Sequence, residues 1–396
     1  MTTPSPEIRE FDLLDPSWYG EGVFADYRWM RENAPVYHSE KAGIWGLTRH
    51  EDVSWAERNP ALLSSAHGSR PRVGPQPSMI DSDDPAHFRR RRLVSQGFQP
   101  RQVAALEAHI REVVAGLVDA LLAKPERRAD FVTEFAAVLP MTVIGEMLGV
   151  AREDHARLQH WSDTMVRLSD GSKADPGAYQ AAGEYLEYLG TVIAARRAEP
   201  RDDLIGTLVG AEIDGEGLTE RELYGESLLL LVGGNETTRN VVSGGMKELL
   251  HRPDLVAHLR ADPARIPAAV EEFLRWVSPI VNMQRQATQD VELHGVTIPE
   301  GQSVLLLYGA ANRDPEVFPD PETFDLTRRP NPHVAFGAGP HFCLGSALAR
   351  LEIRIALEEL LTRLPELRHV AGTAPDEPRP APSAFIRGIR EMPVEY

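Results

Sequence analysis

The sequence predicts a mainly α-helical protein with small antiparallel β-sheets. From about Asp84 to Leu250 the apolar residues recur predominantly at helical spacing. Shorter segments with strand character lie near Val36 to Leu47, at Val291 to Tyr308 and in the last dozen residues. No linker-like run divides the 396 residues, so we expect a single domain over residues 11–396 and a flexible N-terminus over residues 1–10.

Composition and charge exclude several classes of function. The formal net charge of −17 disfavours nucleic acid and anionic membranes as partners, because both would be repelled. A single cysteine excludes an internal disulfide framework and a cysteine-rich zinc site, and it fits a reducing compartment. No apolar run is long enough to span a bilayer. We therefore expect a cytoplasmic protein without a membrane span.

One predicted helix is unusually long and weak at its centre. Thr219 and Glu222 have the spacing of a capping box, and the helical pattern continues to Leu250, just before Pro253. Such a helix is roughly 45 Å long. Its middle reads GGNETT, Gly233–Thr238, where each glycine costs about 1 kcal/mol relative to alanine. This weakness indicates a functional role for the segment.

The only cysteine lies in a glycine-rich stretch, FGAGPHFCLG, Phe336–Gly345. A helical pattern begins directly after Cys343 and runs to Pro365. The unpaired N–H groups of a helix N-terminus favour a thiolate over a thiol. The glycines of the stretch allow a flat ligand to approach the backbone. A lone cysteine in such a turn is usually structural, but this surrounding pattern favours a ligand site.

The stretch Phe336–Gly345 resembles the haem-binding loop of the cytochromes P450, the haem-thiolate monooxygenases. The resemblance implies the cytochrome P450 fold and haem b held by Cys343 as the axial iron ligand, a bond that favours O–O cleavage of the co-substrate O2. It also implies that Phe336 packs beside the sulfur and that His341 reaches a haem propionate. Further haem contacts are expected at Gly337 and Gly345 of the loop.

Three basic residues resemble the family's other propionate-binding residues. The stretch DPAHFRRR, ending at Arg91, resembles a helix on which His87 and Arg91 project from one face. Arg285, in MQRQAT, matches a further propionate-binding arginine. The resemblance therefore implies that these three side chains hold the haem.

The remaining arginines of the same run, Arg89, Arg90 and Arg92, are expected to face solvent or a partner. A basic patch on an acidic protein suits an acidic electron donor. Because the chain carries no flavin or iron–sulfur module, the resemblance implies that electrons come from NAD(P)H through a ferredoxin reductase and a ferredoxin.

A buried framework is predicted around Glu272 and Arg275. These residues are three apart on a predicted helix and can form a charge-assisted pair. They resemble the family's Glu-x-x-Arg pair, and the segments Asn312–Pro315 and Pro319–Asp325 resemble the meander that completes its network. We expect a structural role for both residues.

The weak centre of the long helix resembles the oxygen-binding stretch of the family's central helix, where the helix widens locally. Catalysis there requires protons while bulk water is excluded. The resemblance implies that Glu236 brings the protons in, that Thr237 holds a water of the relay, and that Gly233 borders the haem.

The substrate pocket is expected from positions that resemble pocket-lining segments of the family. Nearly all of these side chains are apolar, which predicts a hydrophobic small molecule held mostly by shape. The predicted contacts are Ile80, Leu229, Val232, Val281, Met283, Phe385 and Ile386.

Three functions remain open from the sequence. The stretches LPMTVIGEMLGV and LLLYGAANRDP look most like the actinobacterial branch that oxidises steroids and terpenoid or branched lipids. This predicts a monooxygenase that hydroxylates, or otherwise oxidises, such a molecule. A macrolide- or polyketide-tailoring monooxygenase is the alternative. A haem-binding sensor or ligand-binding protein without turnover is the alternative from another class.

Overall fold

The computed structural model describes residues 9–20, 22–169, 176–213, 215–374 and 376–396. Most of the expected flexible N-terminus, residues 1–8, lies outside the described residues. Arg9 and Glu10 are exposed, and the Arg9 carbonyl accepts a hydrogen bond from the Tyr37 hydroxyl at 3.1 Å. Strands lie in the three regions where the sequence predicts them, and further strands, the longest being Asn282–Ala287, lie outside those regions.

Helices make up most of the regular structure. In chain order the α-helices of the described residues are α1 (Val23–Asn33), α2 (His50–Arg58), α3 (Ala86–Ser95), α4 (Pro100–Ala105), α5 (Glu107–Leu122), α6 (Val138–Met147), α7 (His155–Ser169), α8 (Pro176–Ala198), α9 (Leu204–Val209), α10 (Glu220–Leu250), α11 (Pro253–Ala261), α12 (Ile266–Val277), α13 (Tyr308–Ala311) and α14 (Ser346–Arg363).

The strands form small sheets beside the helices. In chain order they are β1 (Val36–Ser39), β2 (Ile44–Leu47), β3 (Leu63–Ser64), β4 (Arg128–Asp130), β5 (Glu212–Ile213), β6 (Glu216–Gly217), β7 (Asn282–Ala287), β8 (Val291–Leu293), β9 (Val296–Ile298), β10 (Ser303–Leu307), β11 (Arg368–His369) and β12 (Pro393–Glu395).

The largest sheet has the strand order β1-β2-β10-β7-β3. Its pairings are antiparallel except for β10 with β2, which is parallel, so the expected small antiparallel sheets are confirmed with this one parallel pairing in addition. The smaller groups are β11-β12-β4, β5-β6 and β8-β9, all antiparallel. The exception arises because β2 and β10 are far apart in sequence, which permits a long crossover.

Helix α10 follows its sequence signals closely. The Glu222 amide donates to Thr219 Oγ1 at 3.3 Å, and the Thr219 amide donates to Glu222 Oε2 at 2.9 Å, which completes the capping box. The helix ends at Leu250, two residues before the Arg252-Pro253 dipeptide. It packs against α6, α12 and α14. These contacts place its centre opposite the loop that precedes α14.

Two glycines let neighbouring helices approach α10 closely. A Cβ atom on Gly234 would lie 2.7 Å from Ile144 Cγ1 of α6, and one on Gly245 would lie 1.9 Å from Phe273 Cδ2 of α12. Both distances are far inside van der Waals contact. The glycines therefore fix the positions of α6 and α12 around the centre of the molecule.

Candidate active site

Most of the sequence-predicted site residues meet in one interior cavity between α10 and the cysteine loop. The cavity is about 1410 Å³, counting its opening to solvent. Its lining includes thirteen of the predicted residues, namely Ile80, His87, Arg91, Leu229, Gly233, Thr237, Met283, Arg285, Phe336, Gly337, His341, Cys343 and Gly345. Residues from four separate parts of the chain thus come together at a single site.

Four predicted substrate residues do not line this cavity: Val232, Val281, Phe385 and Ile386. The Val281 amide donates to the Phe385 carbonyl at 2.9 Å, and Ile280 forms a β-bridge with Ile386. Val281, Phe385 and Ile386 are buried in the wall behind Ile280 and Met283, which do line the cavity. Because side chains alternate along this extended segment, the residue beside Val281 that borders the cavity is Ile280.

Backbone contacts hold the cysteine loop in place. The Cys343 amide donates to the Phe336 carbonyl at 2.9 Å, and the Arg350 guanidinium carbon lies 4.6 Å from the centroid of the Phe336 ring. Gly339 has a φ of +64°, and a Cβ atom there would lie 2.3 Å from the Glu57 carbonyl oxygen. Glycine at this position is therefore required by both conformation and space.

Burial dominates the electrostatics of the Cys343 thiol. Burial raises its pKa, while the backbone N–H of Gly345 and the positive charges of Arg91 and Arg350 act in the opposite direction. The helix start alone therefore does not produce a thiolate, in contrast to the sequence expectation. A metal cation deprotonates a thiol that coordinates it. A half-buried cysteine at the cavity surface, next to open space at Gly345, fits an iron ligand that gains its charge on metal binding.

The basic residues at the other edge of the cavity fit an anionic group. The His87 and His341 rings lie 4.1 Å apart between centroids, and His87 Nε2 is buried without a hydrogen-bond partner in the described structure. Burial, reinforced by the charges of Arg285, His87 and Arg91, lowers the pKa of His341 to about 3. An unpartnered ring nitrogen in such a cationic corner fits haem carboxylates, which accept charge-assisted hydrogen bonds.

Sequence reasoning missed Glu57 of α2, which neutralises part of this corner. Arg285 Nη2 donates to Glu57 Oε2 at 2.8 Å, and the Tyr308 hydroxyl also contacts the Glu57 carboxylate. The Glu57 side chain is 1% exposed. In the sequence Glu57 resembles any polar residue of a short amphipathic helix. Only the tertiary contact with Arg285, more than two hundred residues away, distinguishes it.

The two glycines at the centre of α10 have different surroundings. A Cβ atom on Gly233 would meet no atom within 4 Å, whereas Gly234 packs against Ile144. The Thr237 hydroxyl donates to the Gly233 carbonyl at 2.9 Å. The helix is continuous through this stretch, so the expected local widening is absent from the described conformation. The hydroxyl keeps a partner four residues back without breaking the helix.

Glu236 lies behind Thr237 rather than in the cavity lining. Its Oε1 accepts from Asn235 Nδ2 at 3.3 Å and from Ser162 Oγ at 3.5 Å, and its Oε2 contacts Arg239. Burial raises the pKa of Glu236 to about 8. This carboxyl is therefore held in a proton-exchanging range, one residue from the cavity.

A polar chain leads from Glu236 towards the surface. Arg239 Nη1 donates to Asp163 Oδ1 at 2.7 Å, and the Asp163 side chain is 40% exposed. Asp163 belongs to α7 and Arg239 to α10, so this series of polar contacts connects two neighbouring helices. Neither residue was singled out from the sequence, because nothing local connects them.

A second missed carboxyl, Glu352 of α14, lines the cavity directly. Burial raises its pKa to about 8, and the Thr238 side chain hydrogen-bonds to it. The sequence contained a signal, because Glu352 falls within the apolar stripe of Leu348, Leu351 and Ile355. Charged residues are rarely buried in an apolar stripe, so this position indicates a specific role for Glu352.

The Glu272–Arg275 pair forms the framework behind the cysteine loop. Arg275 Nε and Nη2 donate to the two Glu272 carboxylate oxygens at 2.8 and 2.7 Å. Arg275 also donates to the carbonyls of Asn312, Pro321 and Thr323 at 2.9 to 3.1 Å. Both side chains are at most 1% exposed. The predicted meander segments therefore converge on this pair.

The arginine run of α3 separates in the structure. Arg89 and Arg92 are exposed, but Arg90 points inward, where it contacts Glu222 and lies 3.8 Å from Glu226 of α10. The expectation that Arg90 faces solvent or a partner is therefore wrong. Successive side chains of a helix point in different directions, and Arg90 is on the side of α3 that faces the acidic residues of α10.

The model of the family described as cytochrome P450 matches residues 64–367. The chain belongs to the cytochrome P450 family. It is therefore a haem-thiolate monooxygenase that uses O2, and the cavity, the cysteine at its surface and the cluster of basic residues at its edge fit this assignment. None of the helices within the described residues combines the length and apolarity needed to cross a membrane.

Relatives match the chain over its whole length. It is 44% identical to a steroid C26-monooxygenase of Mycobacterium tuberculosis, covering 100% of this chain and 98% of the relative. It is 41% identical to a methyl-branched lipid omega-hydroxylase of Mycobacterium bovis, covering 100% and 97%. Among solved structures, a Mycobacterium marinum cytochrome P450 in complex with pseudoionone superposes with a TM-score of 0.89 at 32% identity, covering 98% and 100%. These proteins are of the actinobacterial steroid- and lipid-oxidising branch that the sequence resembles.

Proposed function

We propose that this cytochrome P450 hydroxylates a steroid or a branched or terpenoid lipid. The observation that carries the proposal is an apolar cavity bordered by Cys343 on one side and Thr237 on the other. The full-length similarity to a steroid monooxygenase and a lipid hydroxylase supports the same class of substrate. When bound, thiolate-ligated haem supplies the O–O cleavage that such a reaction requires.

The cavity wall supports recognition by shape. Its apolar lining on the substrate side comes from α10, from the loop before α3 and from the segment around β7, and includes Met79, Ile80, Leu229, Leu230, Val241, Ile280 and Met283. A pocket of this composition binds a hydrophobic molecule chiefly through buried apolar area. Macrolide tailoring remains the second candidate, because the same wall can contact the apolar face of a macrolactone.

We assign the haem contacts to residues of this chain. Cys343 would hold the iron, and His87, Arg91, Arg285 and His341 would hold the propionates. The flat faces of the group would meet Phe336 and the backbone at Gly233, Gly337 and Gly345, where side chains are small or absent.

We assign proton delivery to Glu236 and Thr237. Glu236 has a partner on the surface side through Arg239 and Asp163, and Thr237 is its neighbour on the cavity side. A raised pKa near neutrality suits a group that must both hold and release a proton. A ligand-binding sensor needs no such relay, so this arrangement favours turnover over the sensor alternative.

We propose that electrons arrive from NAD(P)H through a ferredoxin reductase and a ferredoxin. The exposed Arg89 and Arg92 of α3, beside Phe88 and Phe342 at 59% and 40% exposure, offer a basic and apolar docking surface. Arg92→Glu should slow ferredoxin-driven turnover severalfold at low salt and flatten its salt dependence. The exposed Arg201→Glu is the matched control. Identical salt profiles for the two variants would remove the docking assignment.

The substrate class is tested by optical titration of the haem-loaded protein with steroids, branched lipids, unbranched fatty acids and macrolactones. We expect a type I spin-state shift with steroids or branched lipids, followed by hydroxylated product with a ferredoxin system. Leu229→Trp should weaken this binding by filling the cavity, whereas Leu186→Trp, at an exposed position of α8, should not. Tight binding of macrolactones alone would favour the second candidate.

A further inference from the structure

An arginine that no motif predicted lies beside the cavity. Arg70 belongs to the loop between β3 and α3, and this loop is anchored to β7. The Gln284 amide donates to the Ser69 carbonyl at 3.0 Å, and Gln284 Nε2 donates to the Gly68 carbonyl at 3.2 Å. The backbone that carries Arg70 is therefore fixed against the sheet.

The contacts of Arg70 place its guanidinium at the cavity wall. Its guanidinium carbon lies 3.6 Å from the centroid of the Phe385 ring, and its Nη1 contacts Met283 Sδ. Met283 lines the cavity. Burial lowers the pKa of Arg70 to about 9, yet the side chain keeps accessible surface. Arg70 itself is not among the lining residues, so its guanidinium lies directly behind Met283 at the edge of the cavity.

The positive charge of Arg70 has no carboxylate in contact. Among the described residues, no carboxylate oxygen lies within the 4.0 Å that defines an ion pair, and Nη1 alone has hydrogen-bond acceptors. The nearest candidate, Asp81, uses its two oxygens to accept from the Ser69 and Gln76 amides, each at 2.8 Å. Glu57 is paired with Arg285. A buried charge without such a partner is costly, which indicates a ligand.

We propose that Arg70 binds a carboxylate at the edge of the cavity through its unoccupied Nε and Nη2 atoms. The planar guanidinium edge matches two carboxylate oxygens. The carboxylate can come from the acid end of a lipid substrate or from a haem propionate. The first source rests on the proposed function and narrows its substrate to a lipid that ends in a carboxylate, rather than a neutral steroid.

Haem-loaded wild type, Arg70→Gln and Arg70→Lys test the proposal, with Arg72→Gln as a matched control. Arg72 is exposed two residues further along the same loop, so its replacement removes one charge without touching the cavity. Each protein is titrated optically with hexadecanoic acid and with its methyl ester. The midpoint reduction potential and the rate of haem transfer to apomyoglobin are measured on the same samples.

If the substrate supplies the carboxylate, Arg70→Gln should weaken acid binding at least about tenfold and leave ester binding unchanged, and Arg70→Lys should recover part of the loss. If a propionate supplies it, both affinities should change equally, while the reduction potential falls and haem transfer accelerates severalfold. The proposal is wrong if Arg70→Gln behaves like Arg72→Gln in all four measurements. These readouts need no turnover, so a protein that oxidises none of the screened lipids would contradict the proposed function without affecting this test.

Discussion

The cysteine side and the α10 side of the cavity treat buried carboxylates in opposite ways. Behind the cysteine loop, Glu271 is half-buried, but His333 and Arg350 outweigh the effect of burial and lower its pKa to about 2. On the α10 side, where α10 contacts α14, burial raises the pKa values of Glu236 of α10 and Glu352 of α14 to about 8. The first side is held by fully paired charges. The second keeps carboxyls that can carry a proton.

This difference distinguishes carboxylates that hold the structure in place from carboxyls that can take up and release a proton. A carboxylate that is matched by guanidinium donors stays ionised and fixes geometry, as Glu272 does with Arg275. A carboxyl short of donors alternates between two protonation states near neutral pH. The comparison predicts that removing a partner of the paired carboxylates lowers stability, whereas variants among the unpaired groups around Glu236 and Glu352 affect proton delivery or the pH dependence of stability.

The largest effect is expected from Cys343→Ser, which removes the iron ligand. We expect turnover to fall by at least about 100-fold, and the reduced carbon monoxide complex to lose its red-shifted thiolate Soret band. The far-ultraviolet circular dichroism should stay that of the wild type, because the loop backbone is held by the Phe336 carbonyl and not by the sulfur. A red-shifted band in the variant would contradict the assignment of this ligand.

The next largest effect is expected from Arg275→Ala, which removes the bidentate partner of the buried Glu272 and leaves it Arg328, 3.3 Å away, as its ion-pair partner. The free energy of unfolding in urea should fall by about 3–5 kcal/mol. Arg265→Ala is the matched control, because Arg265 and Asp262 form an i,i+3 ion pair at 2.8 Å with both side chains more than 40% exposed. That variant should cost at most about 1 kcal/mol. Equal losses would show that burial does not distinguish the two pairs.

The sequence predicted the local parts of this molecule well. The capping box of α10 and the helix after Cys343 follow from patterns with a fixed spacing, and the cluster of His87, Arg91 and Arg285 was implied by the resemblance to the family. These features depend on neighbours within a few residues, or on one ligand that a motif implies. The family and the helical fold with small sheets are confirmed.

The remaining parts depend on which distant residues meet. Glu57 and Arg70 have no local signature, because their roles arise from contacts with Arg285, Phe385 and Met283 across the chain. The direction of Arg90 was mispredicted for the same reason. Its partners belong to α10, and helical periodicity alone does not say which face of α3 meets that helix.

A smaller effect, on the coupling of electron use to product formation, is expected from Thr237→Ala on the α10 side. Removing the hydroxyl should leave electron consumption largely intact, while the fraction of electrons recovered in product falls about tenfold and peroxide rises. Product, peroxide and NAD(P)H consumption are measured together. Thr362→Ala is the matched control, because that hydroxyl also donates to a carbonyl four residues back but lies on the exposed end of α14. Full coupling in Thr237→Ala would contradict its place in the relay.

The smallest and most specific effect is expected from Glu352→Gln. Burial raises the pKa of Glu352 from about 4.5 to about 8, so between these values the folded chain keeps a proton that the unfolded chain has lost. Because the unfolded state then binds fewer protons, the free energy of unfolding falls as the pH rises through this window.

Glutamine does not titrate, so Glu352→Gln should gain stability relative to the wild type between pH 5 and pH 9, by about 1–3 kcal/mol. Urea unfolding at both pH values measures this gain. Glu366→Gln, at an exposed position after α14, is the control and should keep a constant difference from the wild type. A constant difference for Glu352→Gln as well would mean that this carboxyl is ionised throughout, and the two sides of the cavity would then not differ in the way their carboxylates are held.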